Sequence, residues 1–168
     1  MRLPKEFYLQ SAETLAPLLL GKLICVQKGS EVFRYRITET ECYQGEDDTA
    51  CHAHKGKTPR TEIMYREGGY AYIYLCYGMH HLLNIVTGEK DVPQAVLIRG
   101  VEQFPGPGRA TKAMGITKDW NGEDLCSSKR FWLEDDGTLL QYQTGKRIGI
   151  DYAEPKDRER PWRFFTTI

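Results

Sequence analysis

The sequence predicts an α+β domain whose mostly antiparallel, curved sheet is made of hairpins flanked by short helices, and three observations lead there. Tyrosines alternate with period two through residues 70–77, and 37–43 and 95–101 read as strands that set Glu39, Glu41 and Tyr43, and Leu97 and Arg99, at every second position. Connections carrying Gly or Pro, at Gly29-Ser30 and at 88–93, join neighbouring strands as hairpins. Helical spacing is confined to short stretches at 11–20 and 109–115. The 168 residues hold no repeat and no low-complexity block, and 40% are apolar, which suits one domain over 1–168 with a single core.

In chain order, Ser11 caps a helix reaching Leu20 and closed by Gly21, with Pro17 inside it predicting a kink. Residues 22–27 and 33–43 form the first hairpin. Residues 44–69 read as a long functional loop, punctuated by Gly45, Gly56, Pro59, Gly68 and Gly69, with helical turns only around 47–52 and 61–65. The strand 70–77 sets Tyr70, Tyr72 and Tyr74 on one face and ends at Tyr77, which a turn at Gly78 projects outward. Residues 81–87 return with Asn84, and 95–101 follow with Leu97 and Arg99 on one face. After Pro105-Gly-Pro-Gly come a helix at 109–115 and short strands at 131–133, 147–150 and 162–165. The sheet is thereby expected to be a meander.

Composition narrows the function classes. The 23 basic and 23 acidic residues cancel, so net charge gives no argument for a nucleic-acid partner. Their distribution is less even: 52–66 carries Lys55, Lys57, Arg60 and Arg66 against Glu62, and 99–118 carries Arg99, Arg109, Lys112 and Lys118 against Glu102. Two readings fit this distribution, a dipolar molecule with one basic face and the commoner plain solvated surface. Five cysteines without a Cys-x-x-Cys pair fit reduced thiols in a cytoplasm. The apolar run 15–20 is too short for a signal-peptide core and no stretch reaches membrane-span length, so a soluble intracellular protein is expected.

The chemistry centres on 37–43, where Glu39, Glu41 and Tyr43 stand at every second position. Tyr35 and Ile37 extend that face upstream, so the carboxylates are expected on an apolar, aromatic side where a charge is costly without a task. Glu41 is the candidate catalytic base. The plainer reading is a solvated edge strand. Glu39 and Glu41 as the acid and base of an O-glycosidase is disfavoured, because those enzymes hold carboxyls on opposite sides of the scissile bond. Cys51, His52 and His54, with Cys42, match no paired zinc-ligand spacing, so neither metal nor cofactor is expected. Tyr70 and Tyr72 read as core or sheet surface, His80 and His81 as surface or packing residues, and 106–109 either as backbone amides able to approach a phosphate or as ordinary Pro and Gly punctuation before a helix.

Glu-Thr-Glu-Cys-Tyr at 39–43, Ala-Cys-His at 50–52, Lys-Thr-Pro-Arg at 57–60, Tyr-Ile-Tyr-Leu-Cys-Tyr-Gly-Met at 72–79, Asn84, Val-Leu-Ile-Arg at 96–99 and Pro-Trp-Arg-Phe-Phe at 161–165 resemble the alkyladenine (3-methyladenine) DNA glycosylase family. The likeness covers nearly the whole chain in order. It implies hydrolysis of the N-glycosidic bond of alkylated purines in duplex DNA, leaving an abasic site. The lesions implied are of the 3-methyladenine type, with 7-methylguanine, etheno-adenine and hypoxanthine, and the enzyme is expected to be a monomer, cytoplasmic and nucleoid-associated or otherwise intracellular.

Carried over by position, Glu41 and Arg99 resemble the residues that hold and activate the water, and Tyr43, His52 and Tyr74 those that enclose the extruded base. Asn84 and Leu97 resemble pocket-shaping residues, Tyr77 the wedge left in the duplex, and Met79 and Arg60 further DNA contacts. The alternative of another class is a binder of damaged DNA with weak or no turnover.

Overall fold

Two short helices open the chain in the computed structural model, which describes residues 1–166: α1 (Lys5–Tyr8) and α2 (Ala12–Leu18). The Ser11 side chain accepts the Thr14 N–H at 3.2 Å and caps α2, whose buried Ala12, Leu15 and Ala16 face the sheet. Gly21 then turns the chain at φ 91°, where a Cβ would meet the Thr138 carbonyl at 3.0 Å. Strands β1 (Leu23–Lys28) and β2 (Glu31–Gln44) form the expected hairpin about Gly29.

Strands β3 (Ala71–Cys76), β4 (His80–Val86) and β5 (Gln94–Val101) form a second unit, followed by β6 (Phe104–Pro105) and α3 (Pro107–Met114). The chain closes with β7 (Phe131–Glu134), β8 (Gln143–Gly145), α4 (Pro155–Arg158) and β9 (Arg163–Phe165). Among the described residues the strands run β3-β4-β5-β2-β1-β7, with β6 on β5 and β9 on β2, and the pairings are antiparallel.

The expected plain meander holds for β3 to β5 and stops there. The long connection after β2 allows the later β5 to lie beside it, so two hairpin units fuse along a β2–β5 seam. That seam buries the middle of β2: at Glu41 it pairs with Leu97 on one side and Arg163 on the other. A solvated edge is thereby ruled out for Glu41.

The expectation that Tyr35, Ile37 and Glu41 share a face is also corrected. Register shifts between Ile37 and Thr40 reverse the alternation, so Tyr35 and Ile37 pack into the main core while beyond the shift it is Cys42 that does so. Thr40 turns the same way and donates its hydroxyl to the Ala16 carbonyl at 2.7 Å. Glu41 and Tyr43 are left on the opposite face.

The same division runs through the sheet. Ile73, Leu83, Ile85, Val96 and Ile98 face the main core with α2 and with Ala110 and Met114 of α3. Tyr72, Tyr74, Val86 and Ala95 face a smaller cluster under the 44–69 connection. Within that connection the 3₁₀ turns fall at His52–Lys55 and Glu62–Tyr65, the first a few residues later than expected. Helix α3 begins at Pro107, ahead of the expected 109, because proline suits the first helical position.

Residues 147–150 are not the expected strand. The Arg147 side chain turns inward to Asp48, the Ile148 N–H goes to Glu41 and Gly149 adopts φ 78°, so the segment makes no ladder; β8 forms just before it. No helix among the described residues is long and apolar enough to cross a membrane.

Candidate active site

On the face of the sheet away from the main core lies a cavity of about 640 Å³, within the range that small-molecule sites occupy. Tyr43, His52, Tyr74, Asn84, Leu97 and Arg99 line it, brought from four strands and the first 3₁₀ turn. Period two explains the convergence: Tyr72 and Tyr74 on β3, Asn84 on β4, and Leu97 and Arg99 on β5 are alternate residues facing the same side. Asn84 and Leu97 are direct cross-strand partners, and the Asn84 amide donates to the Tyr72 carbonyl at 3.2 Å.

Glu41 sits beneath this cavity with no exposure. Its Oε1 accepts the Tyr43 hydroxyl at 2.8 Å and lies 3.5 Å from the Arg99 guanidinium, while Oε2 accepts the Ile148 N–H at 2.7 Å. Burial pushes its carboxyl above the ordinary range, against the pull of Arg99, the Ile148 amide and Tyr43. Arg99 is shared, because its Nε donates to Glu39 at 3.1 Å. Glu39 keeps a side-chain exposure of 27% and also lies 3.5 Å from Arg163, so the two glutamates occupy different environments on one strand.

The aromatic wall is held by its own contacts. The His52 and Tyr74 ring centroids are 4.5 Å apart, and His52 Nδ1 is 2.9 Å from the Tyr72 hydroxyl. Burial first, and then nearby Arg60, push the His52 imidazole down to about 4, so it is neutral at physiological pH. The exposed Arg60 places its guanidinium 5.4 Å from the Tyr74 ring centroid at the cavity mouth.

At that mouth the β3–β4 turn carries Tyr77, 92% exposed, and Met79, 70% exposed. The Met79 N–H bonds to the Cys76 carbonyl, and Tyr77 and Gly78 between them both have positive φ. At φ 53° Tyr77 occupies the left-handed region, uncommon for a tyrosine and costing about 1–3 kcal/mol. The start of α3, Gly106 to Arg109, also lines the cavity, with Gly108 against His80 next to that turn, and Ile148 and Tyr152 contribute to the lining as well.

The chain matches the family described as Methylpurine-DNA glycosylase (MPG) over residues 6–105 and 103–167. The chain belongs to that family. It is 43% identical over 175 residues to a protein of Borreliella burgdorferi (strain ZS7), covering 96% of this chain and 94% of the other. A protein of Desulfitobacterium hafniense is 39% identical over 192 residues, covering 98% and 94%, and one of Methanocella arvoryzae is 40% identical over 183, covering 97% and 91%. Each of these relatives bears the name "Putative 3-methyladenine DNA glycosylase". The protein is thus a DNA glycosylase, a hydrolase of base-excision repair with DNA as its substrate.

The residues expected at the site come together with two exceptions of placement. Glu41 is beneath the cavity rather than on its surface, and Met79 projects beside the mouth without lining it. Tyr72, expected to be structural, lines the wall and orients His52; it shares the alternation that exposes Tyr74, which is the signal that finds it. The Ile148 amide has no sequence signal, because any residue there but proline supplies one.

The zinc-ligand set does not assemble. Cys42 faces the main core, His52 Nδ1 meets Tyr72, His54 Nδ1 meets the Glu46 carbonyl, and burial pushes the Cys51 thiol up to about 12. Among the described residues no three His, Cys, Asp or Glu side chains converge to hold a metal ion.

Proposed function

We propose that this glycosylase turns alkylated purines out of duplex DNA into the cavity above Glu41 and hydrolyses their N-glycosidic bond with a water that Glu41 deprotonates. The observation that carries this reading is a fully buried carboxylate at the foot of an aromatic cavity, held by two hydrogen bonds and an ion pair. A carboxylate offers about four lone-pair directions. Tyr43, Ile148 and, more loosely, Arg99 take three, which leaves one for a water.

The glycosidic bond is out of reach in stacked duplex, so the nucleotide must leave the stack at a cost of a few kcal/mol. Tyr43, His52 and Tyr74 restore stacking worth about 1–3 kcal/mol per base. A purine methylated at N3 or N7 is cationic and gains a further ~0.5–2 kcal/mol over electron-rich rings. Neutral His52 adds no repulsion. Etheno-adenine and hypoxanthine are accommodated by the same stacking without the cation–π gain. Tyr77, poised on the β3–β4 turn, fills the gap the nucleotide leaves, with Met79 beside it and Arg60 within reach of phosphate.

In the chemical step the C1′–N bond breaks with its electron pair leaving on the purine, and water bonds to C1′ as the sugar passes through an oxocarbenium-like state. Glu41 accepts the water's proton and its charge opposes the sugar's. Arg99 keeps Glu41 ionised and orients it. The cavity lining among the described residues contains no lysine to form a Schiff base, in keeping with a hydrolase that leaves the strand intact.

The test is a duplex carrying one 7-methylguanine, incubated with enzyme and assayed for free base and for strand breakage by alkali. Released base with an abasic, uncut strand and no borohydride-trapped adduct supports the reading. Tight binding of the lesion without base release would replace it with a damaged-DNA binding protein.

A further inference from the structure

Arg147 is an unusual residue to bury in an irregular segment. Its side chain has no exposure, and its amino groups donate to both Asp48 oxygens, at 2.6 and 3.0 Å, and to the carbonyls of Cys42 and Asp157. Its guanidinium is 5.0 Å from the ring centroids of both Tyr43 and Trp162. These partners belong to different pieces of chain: Asp48 to the connection that delivers His52, Cys42 to β2 beside Glu41, Asp157 to α4, and Trp162 to the approach to β9. The residue after Arg147 is Ile148, whose N–H holds Glu41 Oε2.

We propose that Arg147 is a positioning residue for the Glu41 carboxylate, clamping the segment around Ile148 against the His52 connection so that the Ile148 amide and the Tyr43 hydroxyl stay on its two oxygens. The inference rests on Glu41 acting as the base. A guanidinium suits the place because a plane with five donors can chelate a carboxylate, reach two carbonyls and lie against two rings at once. Lysine has the charge without the plane. Arg147 also acts on Glu41 through its field, in the same direction as the larger effect of Arg99. The other charged or titratable groups facing Glu41 are Tyr43 and Glu39 on its own strand, Tyr74 on β3, Arg163 on β9 and Tyr152 beyond Ile148.

Single-turnover release of 7-methylguanine, measured against pH and normalised to active sites titrated with an abasic-analogue duplex, tests this. Two variants are compared with wild type: Arg147→Lys, and the double substitution Asp48→Asn with Arg147→Met, which leaves no lone buried ion to unfold the chain. The double variant should lose about 100-fold in rate per active site, the scale on which small misplacements act, and its acid limb should move to higher pH with abasic-duplex affinity retained. Arg147→Lys should lose rate with the acid limb near its original place. Wild-type rate per active site and an unmoved acid limb in both variants would leave Arg147 a purely structural residue. Failure of the wild type itself to release base would instead remove the function on which the inference rests.

Discussion

Asp48 and Glu41 are two buried carboxylates in neighbouring parts of one molecule, and they are treated in opposite ways. Asp48 is saturated: the Gln44 and Ala50 N–H groups at 3.1 Å and both Arg147 amino groups occupy its lone pairs. Glu41 has two short hydrogen bonds and a guanidinium that stands off at 3.5 Å while bonding Glu39 more closely. A saturated carboxylate holds structure, because nothing is left for a reactant to address. One left partly unsatisfied beneath an aromatic cavity keeps capacity for a proton, and burial strengthens its basicity.

Crossed substitutions give the largest effects and break the comparison most directly. Asp48→Asn leaves Arg147 buried without its counter-charge and should cost about 3–5 kcal/mol, a fall on the order of 10 °C in melting temperature for a chain this size. Glu41→Gln should lower single-turnover excision by about 10²–10⁴-fold with lesion binding and melting temperature retained. If the two variants exchanged these phenotypes, the assignment of one carboxylate to structure and the other to chemistry would be wrong.

Tyr77→Ala comes next. Loss of a ring worth about 1–3 kcal/mol of stacking should reduce the flipping equilibrium roughly tenfold to a hundredfold, read by base-analogue fluorescence. At 92% exposure the truncation should leave thermal stability unchanged. A large drop in melting temperature with normal flipping would take Tyr77 out of the site. Glu39→Gln should have the smallest effect, severalfold in rate by analogy with partly exposed ion pairs, because Glu39 shares Arg99 and Arg163 but meets solvent.

Much of this contrast was legible before the fold was known, and the illegible part has physical reasons. Alternation placed Tyr74, Asn84, Leu97 and Arg99 on one face of β3 to β5 because a strand's period is geometric and needs no partner. It failed on β2, where register shifts between Ile37 and Thr40 depend on how β5 meets the strand and leave no mark in composition. The Tyr72 stripe was read as packing, and it packs, but over a cavity that the 44–69 connection builds from afar. The Asp48–Arg147 pair joins residues far apart in sequence, and the Ile148 amide is a backbone group. Neither has a local signature.

The protonation of Glu41 ties the two roles together with opposite signs. Its proton affinity is raised in the folded chain, so its contribution to stability is full at low pH and is lost as pH rises through the folded value. Excision needs the ionised form and runs the other way. His52 takes up its proton only at about 4, and His52→Asn separates any share it has in an acid limb.

Single-turnover release of 7-methylguanine as a function of pH tests the central claim most directly, because this permanently cationic base leaves without needing a proton. The rate should fall tenfold per pH unit below a single midpoint lying above the ordinary glutamate range, with the limb retained in His52→Asn. A rate that stayed flat through the acid range while the protein remained folded would contradict a catalytic Glu41.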